Sequence, residues 1–294
     1  MKNLSVNLSG KTRIFGIVGW PVSHSLSPLM QNAAFTAMQI DAVYVPFPVR
    51  EIDLRDAVTG LRVLSIQGFN VTIPHKQNII PCLDRLSKEA QAIGAVNTVA
   101  REGDELVGHN SDSSGFLRSL QYDLGFSPRG HRIVVLGAGG AARACVYALC
   151  QAGAAEVVIA NRNCERAIAL SEEFGLICPS TKIHAFPLDN NALKEPCYAA
   201  DLIVNTTSIG LDKMGSNAAG TFDLLPWGNI NSETLLYDVV YSPGSTPLVK
   251  RARANGMVAK DGIGMLIAQG EEAFKIWTGH DPGDSMRCAV ENVA

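Results

Sequence analysis

The sequence predicts an α/β protein of two domains, and three observations carry that expectation. The chain has 294 residues, which at roughly 150 residues per domain suggests two. Its apolar fraction is 47%, against 18% charged and 6% aromatic, a balance suited to buried parallel strands of Val, Ile, Leu and Ala. Short apolar runs alternate with helix-spaced segments along most of the chain, the rhythm of strand–helix–strand units.

The same arithmetic excludes several classes. A net charge of -3 offers no long-range positive field for nucleic acid or an anionic membrane surface, so an anionic ligand must be held by local groups. The longest apolar runs, at 133–136 and 235–240, fall far short of the ~20 residues that a bilayer requires. The polar start, MKNLSVNLSGKTR, lacks a signal peptide's apolar stretch, so a cytoplasmic protein is expected. Seven cysteines are odd in number and scattered, with no C-x-x-C pair, so neither a disulfide framework nor a zinc site is indicated. No metal is expected.

In the first 110 residues the periodicity predicts a strand over 13–18, a helix over 28–38, a strand over 42–46 and a helix over 52–64. A strand over 68–72, a helix over 78–86 and a short strand pair around 98–107 follow. From His131 the alternation is more regular. HRIVVLG is a buried strand, AARACVYALCQAG a helix closed by Gly153, and EVVIANR a second strand. ERAIALSEEFG is a helix ended by Gly175, and KIHAFP, DLIVNTT and LLYDVVY are further strands. Helical spacing in Met265, Leu266, Ala268, Gln269, Ala273, Phe274, Ile276 and Trp277 predicts a closing helix that leaves this sheet and returns to the first domain.

Gly137-Ala138-Gly139-Gly140-Ala141-Ala142 fits G-x-G-x-x-A between a predicted strand and a predicted helix. The first glycine makes the turn, the second lets backbone approach a pyrophosphate, and the small third residue permits close helix contact. A tight turn alone would use the same residues. At the end of the next strand a dinucleotide site for NAD usually carries an acidic residue, but here stand Asn161 and Arg162, with Arg166 four positions on. A guanidinium grips a 2′-phosphate, so NADP is expected over NAD.

His24-Ser25-Leu26-Ser27-Pro28 opens the first helix, with Pro28 at its first position and Ser27 as its cap. Two hydroxyls beside a helix N-terminus would also suit a carboxylate. In Asn70-Val71-Thr72-Ile73-Pro74-His75-Lys76 a lysine follows a buried strand end, at a helix start, where function collects in α/β domains. It is either a proton donor or a solvated lysine, and His75 is a rival acid/base or a packing residue. Asn97 and Asp112 sit in polar clusters between apolar segments, as turn residues or as part of a cleft.

Nine blocks now stand in order over nearly the whole chain: HSLSP, NVTIPHK, GAVNT, GHNSDSSG, GAGGAAR, NRNCER, NTTSIG, YDVVYSPGSTPL and GIGMLIAQGEEAFKIWTG. Together they closely resemble the shikimate dehydrogenase family in its NADP-dependent form. The resemblance implies reversible NADPH-linked reduction of 3-dehydroshikimate to shikimate, on the way to chorismate and the aromatic amino acids. It implies that Ser25, Ser27 and Tyr241 hold the substrate carboxylate, that Thr72, Asn97, Asp112 and Gln269 hold ring hydroxyls, and that Lys76 and Asp112 form the proton-transfer pair. It puts Gly137, Ala138, Gly139, Gly140 and Ala141 on the pyrophosphate and Asn161, Arg162 and Arg166 on the 2′-phosphate. Thr207, Ser208, Val239, Gly262 and Met265 fall along the nicotinamide half.

The motif positions then arrange the domains. A substrate domain with a mainly parallel sheet is expected from residues 1–111 plus 262–294, with a Rossmann-type, doubly wound NADP domain, 112–261, inserted between them. Three departures stand out: Asn110-Ser111-Asp112 for the usual Asn-Thr-Asp, Thr206 in NTTS where alanine is common, and Val239 where methionine is common. The alternatives are a quinate/shikimate dehydrogenase of dual substrate use, a non-catalytic NADP-binding sensor, and a folate dehydrogenase sharing only the nucleotide half. The expected partner is the small-molecule substrate alone, with the protein a monomer or homodimer.

Overall fold

Residues 8–207, 225–242 and 244–291 are described by a computed structural model, and the chain divides into two units, Met1–Ser111 with Gln269–Ala294, and Asp112–Ala268. The division falls inside the long helix Ile263–Thr278. Among the described residues no helix is long and apolar enough to cross a membrane.

The first unit holds β1 (Arg13–Gly19), α1 (Ser27–Ala37), β2 (Ala42–Pro48), α2 (Leu54–Val63), β3 (Gly68–Val71), β4 (Arg85–Leu86), α3 (Lys88–Ile93), β5 (Thr98–Glu102) and β6 (Glu105–His109). The sheet order is β2-β1-β3-β5-β6-β4. β1 pairs parallel with β2 and β3, and β4 with β6, while β3–β5 and β5–β6 are antiparallel. The sheet is mainly parallel, as expected. Its antiparallel hairpin turns at Gly103, whose φ of +64° suits glycine.

Two expectations fail here. The helix expected over 78–86 is instead a run of turns, a 3-10 turn at Ile80–Cys82 and then β4. Pro81 lacks an amide and clashes with the turn before it, which stops an α-helix from propagating. The helix does form one step later, as α3, where Ser87 Oγ accepts from Ala90 N at 3.1 Å and Gly94 closes it at φ +66°. Ser27 is not the cap of α1 but its first residue: Leu26 is the cap, already helical at φ -83°, ψ -7°, and Ser25 Oγ accepts from Ser27 N at 3.2 Å.

The second unit contains α4 (Asp112–Leu124), β7 (Arg132–Leu136), α5 (Gly140–Gln151), β8 (Glu156–Asn161), α6 (Cys164–Ile177), β9 (Lys182–Pro187), α7 (Lys194–Tyr198), β10 (Leu202–Asn205), β11 (Leu235–Asp238), α8 (Pro247–Ala254), β12 (Ala259–Asp261) and the start of α9 (Ile263–Thr278). Its sheet is parallel throughout, in the order β12-β11-β10-β7-β8-β9. The chain winds outward from β7 to one edge and then from β10 to the other, which is the doubly wound, Rossmann-type order. Gly153 closes α5 as expected, at φ +83°. Gly175 does not end α6, which runs two residues further because Phe174 is fully buried and holds its last turn down.

The C-terminal part of α9 belongs to the first unit. There Trp277 and Phe274 join Phe15 and Phe35, with Phe15–Phe35, Phe15–Trp277 and Phe35–Phe274 ring centroids 5.2 Å apart. Trp277 Nε1 donates to Val99 O at 2.9 Å, and a side chain at Gly68 would collide with the same indole. α10 (Ser285–Glu291) packs against α1.

Candidate active site

In the first unit the chemistry collects at one edge of the sheet, where β1, β3 and β6 end and β5 begins. Thr72 continues from β3, its amide donating to Val18 O at 2.9 Å. A Cβ on Gly19 would strike the Thr72 side chain, so glycine lets these strand ends approach. Lys76 lies half-buried in the following turns rather than at a helix start, and its carbonyl accepts from Val96 N at 2.7 Å. His75 is fully buried, with Nε2 2.7 Å from Val49 O, so it is a packing residue that pins this turn.

Asn97 is the hub of a buried network. Its Nδ2 donates to Ser111 Oγ at 2.9 Å and to Gln269 Oε1 at 3.4 Å, and its Oδ1 accepts from Ser111 N at 2.7 Å and Thr98 Oγ1 at 3.1 Å. Asn70 Nδ2 donates to Asn97 O and Thr98 Oγ1, both at 3.1 Å. That orientation turns Asn70 Oδ1 toward Tyr44, whose hydroxyl donates to it at 2.7 Å. Burial pushes the Tyr44 phenol well above its ordinary value, and a hydrogen bond with Ser27 opposes this. Ser27, Asn97 and Gln269, far apart in sequence, thus share one hydrogen-bonded system, in which every buried polar group needs its partner.

In the second unit the candidate residues lie at the carboxyl edge of the parallel sheet. Asp112 is buried at the first position of α4, where an acidic side chain complements the helix dipole. Gly137 leaves β7 at φ +114°, and its Cβ would come within 2.5 Å of Thr206 Oγ1. The hydroxyl that Thr206 brings where alanine is common donates to Leu136 O at 2.7 Å. Gly137 and Thr206 meet where β7 and β10 run side by side, the switch point at which such sheets bind ligands. A Cβ on Gly139 would meet nothing within 4 Å, so open space lies before the first turn of α5, with its outward amides. This cradle fits a dinucleotide pyrophosphate.

Beyond β8, Asn161 Nδ2 donates to Asn163 O at 2.9 Å, and Asn163 Oδ1 caps α6 by accepting from Arg166 N at 3.4 Å. These bonds shape the turn bearing Arg162 and the start of the helix bearing Arg166, both exposed. Arg143, by contrast, is buried, paired with Glu173 and 5.4 Å over the Phe174 ring, and serves the fold. Thr207 donates from N and Oγ1 to Asn205 Oδ1, at 3.1 and 2.7 Å. Ser208 lies outside the described residues. Met265 is buried on α9, and Tyr241 is half-buried beyond β11.

Gly262 follows β12, and a Cβ there would collide with Val239 O. Gly262→Ala is expected to cost about 3 kcal/mol or more, read by urea unfolding, because backbone rather than a flexible side chain blocks the space.

Asp238, at the end of β11, is fully buried; burial pushes its pKa from the ordinary 3.8 up to about 6, against hydrogen bonds from Thr246, Asn205 and Val240. Asp261 raises it further. With the folded value raised, the native state binds the extra proton between those pH values, so stability falls as pH rises from 3.8 to 6 and stays lower above. Asp238→Asn should therefore gain stability over the parent as pH rises through this window, by up to ~3 kcal/mol at pH 8. Unfolding at pH 4.5 and pH 8 checks it: an equal difference at both pH values contradicts it.

A glycine turn at the switch point of a parallel sheet, with arginines beyond the second strand, defines a dinucleotide-binding protein of the Rossmann type. Three family models match: shikimate dehydrogenase substrate binding domain over residues 17–99, shikimate/quinate 5-dehydrogenase over 122–211, and shikimate 5′-dehydrogenase C-terminal domain over 262–284. The shikimate dehydrogenase (NADP(+)) of Geobacter metallireducens is 54% identical over 277 residues, 94% of this chain and 95% of that one. The crystal structure of shikimate 5-dehydrogenase from Thermus thermophilus in complex with NADP(H) and shikimate is 36% identical, with a TM-score of 0.80, covering 96% of this chain and 100% of that one. Quinate dehydrogenase from Corynebacterium glutamicum in complex with NAD is 30% identical, with a TM-score of 0.83, covering 96% and 99%. The chain belongs to the shikimate dehydrogenase family.

Sequence reasoning missed Tyr44, Asn70, Thr98 and Ser111 in the first unit and Asn205, Asp238 and Thr246 in the second. A signal was present: Asn70 in GFNV lies inside an otherwise apolar strand, and Asn205 in LIVN and Asp238 in LLYD are polar residues that end buried strands.

Proposed function

We propose that Lys76 and Asp112 carry the proton transfer of this family's reaction, and that Ser25, Ser27, Thr72, Asn97, Tyr241 and Gln269 hold its substrate. The chain is an NADP-dependent oxidoreductase acting on a CH–OH group, and its reaction is the reversible NADPH-linked reduction of 3-dehydroshikimate to shikimate. The observation that carries the residue assignment is the buried network around Asn97, which joins Gln269 to the end of β3, just before Thr72 and the turn that bears Lys76. A rigid polar system of this kind suits a ligand bearing several hydroxyls.

When bound, the nicotinamide supplies the hydride to a ring carbonyl. Lys76 meets the negative charge that grows on that oxygen and delivers the proton. Asp112, an acceptor when ionised, orients the lysine and a ring hydroxyl. Ser25 and Ser27 donate to the carboxylate at the N-terminus of α1, where the helix dipole favours an anion. Gly137 to Ala141 receive the pyrophosphate, and Asn161, Arg162 and Arg166 receive the 2′-phosphate. Thr207, Val239, Gly262 and Met265 are assigned to the nicotinamide half, as is Ser208 by its place in the sequence. By this reading residues 1–111 plus 262–294 are the substrate domain and 112–261 the cofactor domain. Nicotinamide chemistry and cysteines held as thiols rather than disulfides favour the cytoplasm. Assembly is as a monomer or homodimer.

The serine assignment is tested by initial-rate kinetics. The double variant Ser25→Ala, Ser27→Ala should raise the KM for shikimate about tenfold or more and leave kcat within a few-fold. An unchanged KM would remove the serines from the carboxylate.

A further inference from the structure

We propose that Asp238 is the positioning residue of the nicotinamide half of the cofactor site. It rests on the assignment of Thr207 and Val239 to that half. Asp238 is fully buried, and an apolar side chain would continue β11 without the cost of burying a carboxylate. What the carboxylate does instead is orient two neighbouring turns. Oδ1 accepts from Asn205 Nδ2 at 2.8 Å and from Val240 N at 3.1 Å, and Oδ2 accepts from Thr246 Oγ1 at 2.6 Å.

The direction of each bond follows from the ionised group. A carboxylate only accepts, so Asn205 must present Nδ2 to it, which turns Asn205 Oδ1 toward the next turn. That oxygen takes both the amide and the hydroxyl proton of Thr207. Both bonds fix the orientation of Thr207 just past the end of β10, in the turn assigned to the nicotinamide half. On the other side, the bond to Thr246 joins the end of β11 to the cap of α8, whose Oγ1 accepts from Val249 N at 3.3 Å. It closes the segment that carries Val239 and Tyr241.

The test compares two ligands that share the adenosine 2′-phosphate but not the nicotinamide. NADPH and adenosine 2′,5′-bisphosphate are titrated against the full-length wild type, Asp238→Leu, Asp238→Asn and Asn205→Ala, with kcat for shikimate oxidation measured alongside. Asp238→Leu and Asn205→Ala should weaken NADPH about tenfold or more and lower kcat, while the bisphosphate binds as to the wild type. Asp238→Asn should lose less than Asp238→Leu, since its Oδ1 still accepts from Asn205 and its Nδ2 can donate to Thr246. If the leucine variant does not fold, Asn205→Ala decides. Unchanged NADPH binding and kcat, or equal weakening of both ligands, would overturn the proposal. A wild type that binds neither ligand would overturn the cofactor assignment, and the proposal with it.

Discussion

Lys76→Ala is expected to lower kcat by roughly 10²- to 10⁴-fold and to change the KM for shikimate by only a few-fold, as for a residue whose interaction develops mainly in the transition state. The turn around it is held by groups other than its side chain: Val96 N on its carbonyl, His75 N on Thr72 O at 2.9 Å, and the buried His75 ring on Val49 O. Truncating Lys76 should therefore leave the fold intact. His75, 0% exposed, is not available as an alternative acid. Initial rates with shikimate and NADP at saturating cofactor give the answer. Normal turnover with a raised KM would make the lysine a binding residue and leave the proton transfer to another group.

Arg162→Ala with Arg166→Ala should lower kcat/KM for NADP by roughly 10²-fold, since two charge-assisted contacts to a phosphate are worth a few kcal/mol together. The value for NAD, which lacks the 2′-phosphate, should change little. The two arginines sit on a turn and a helix start whose geometry comes from Asn161 and Asn163, so the backbone of the site survives the double substitution. Equal losses with both cofactors would mean that the arginines serve the loop rather than the phosphate. Rising salt should weaken NADP binding in the parent and have a smaller effect in the variant.

The second unit was the more legible because its information is local. Each of GAGGAA and NRNCER packs a strand end, a turn and a helix start into a few residues, and the all-parallel sheet then fixes where those turns lie. The NADP preference likewise follows from the residue types after β8. In the first unit the periodicity misled where proline intervened, so that Lys76 lies among turns and β4 occupies the end of an expected helix. α4 and α8 were not anticipated either, although Thr246-Pro247 is a cap followed by proline at the first helical turn. The networks behind the site were the least legible. Asn97 meets Gln269 across 172 positions of sequence, and Gln31 meets Gly270 across 239. Periodicity reports which face a residue shares, not which distant residue it meets.

Oxidation of shikimate with NADP is tested by four initial rates followed through nicotinamide absorbance: shikimate and quinate, each with NADP and with NAD. The assigned hydroxyl and carboxylate contacts and the arginines beyond β8 predict the highest kcat/KM for shikimate with NADP, and the lowest for quinate with NAD. A kcat/KM for quinate or for NAD equal to or above that of the shikimate–NADP pair would contradict this assignment of substrate and cofactor.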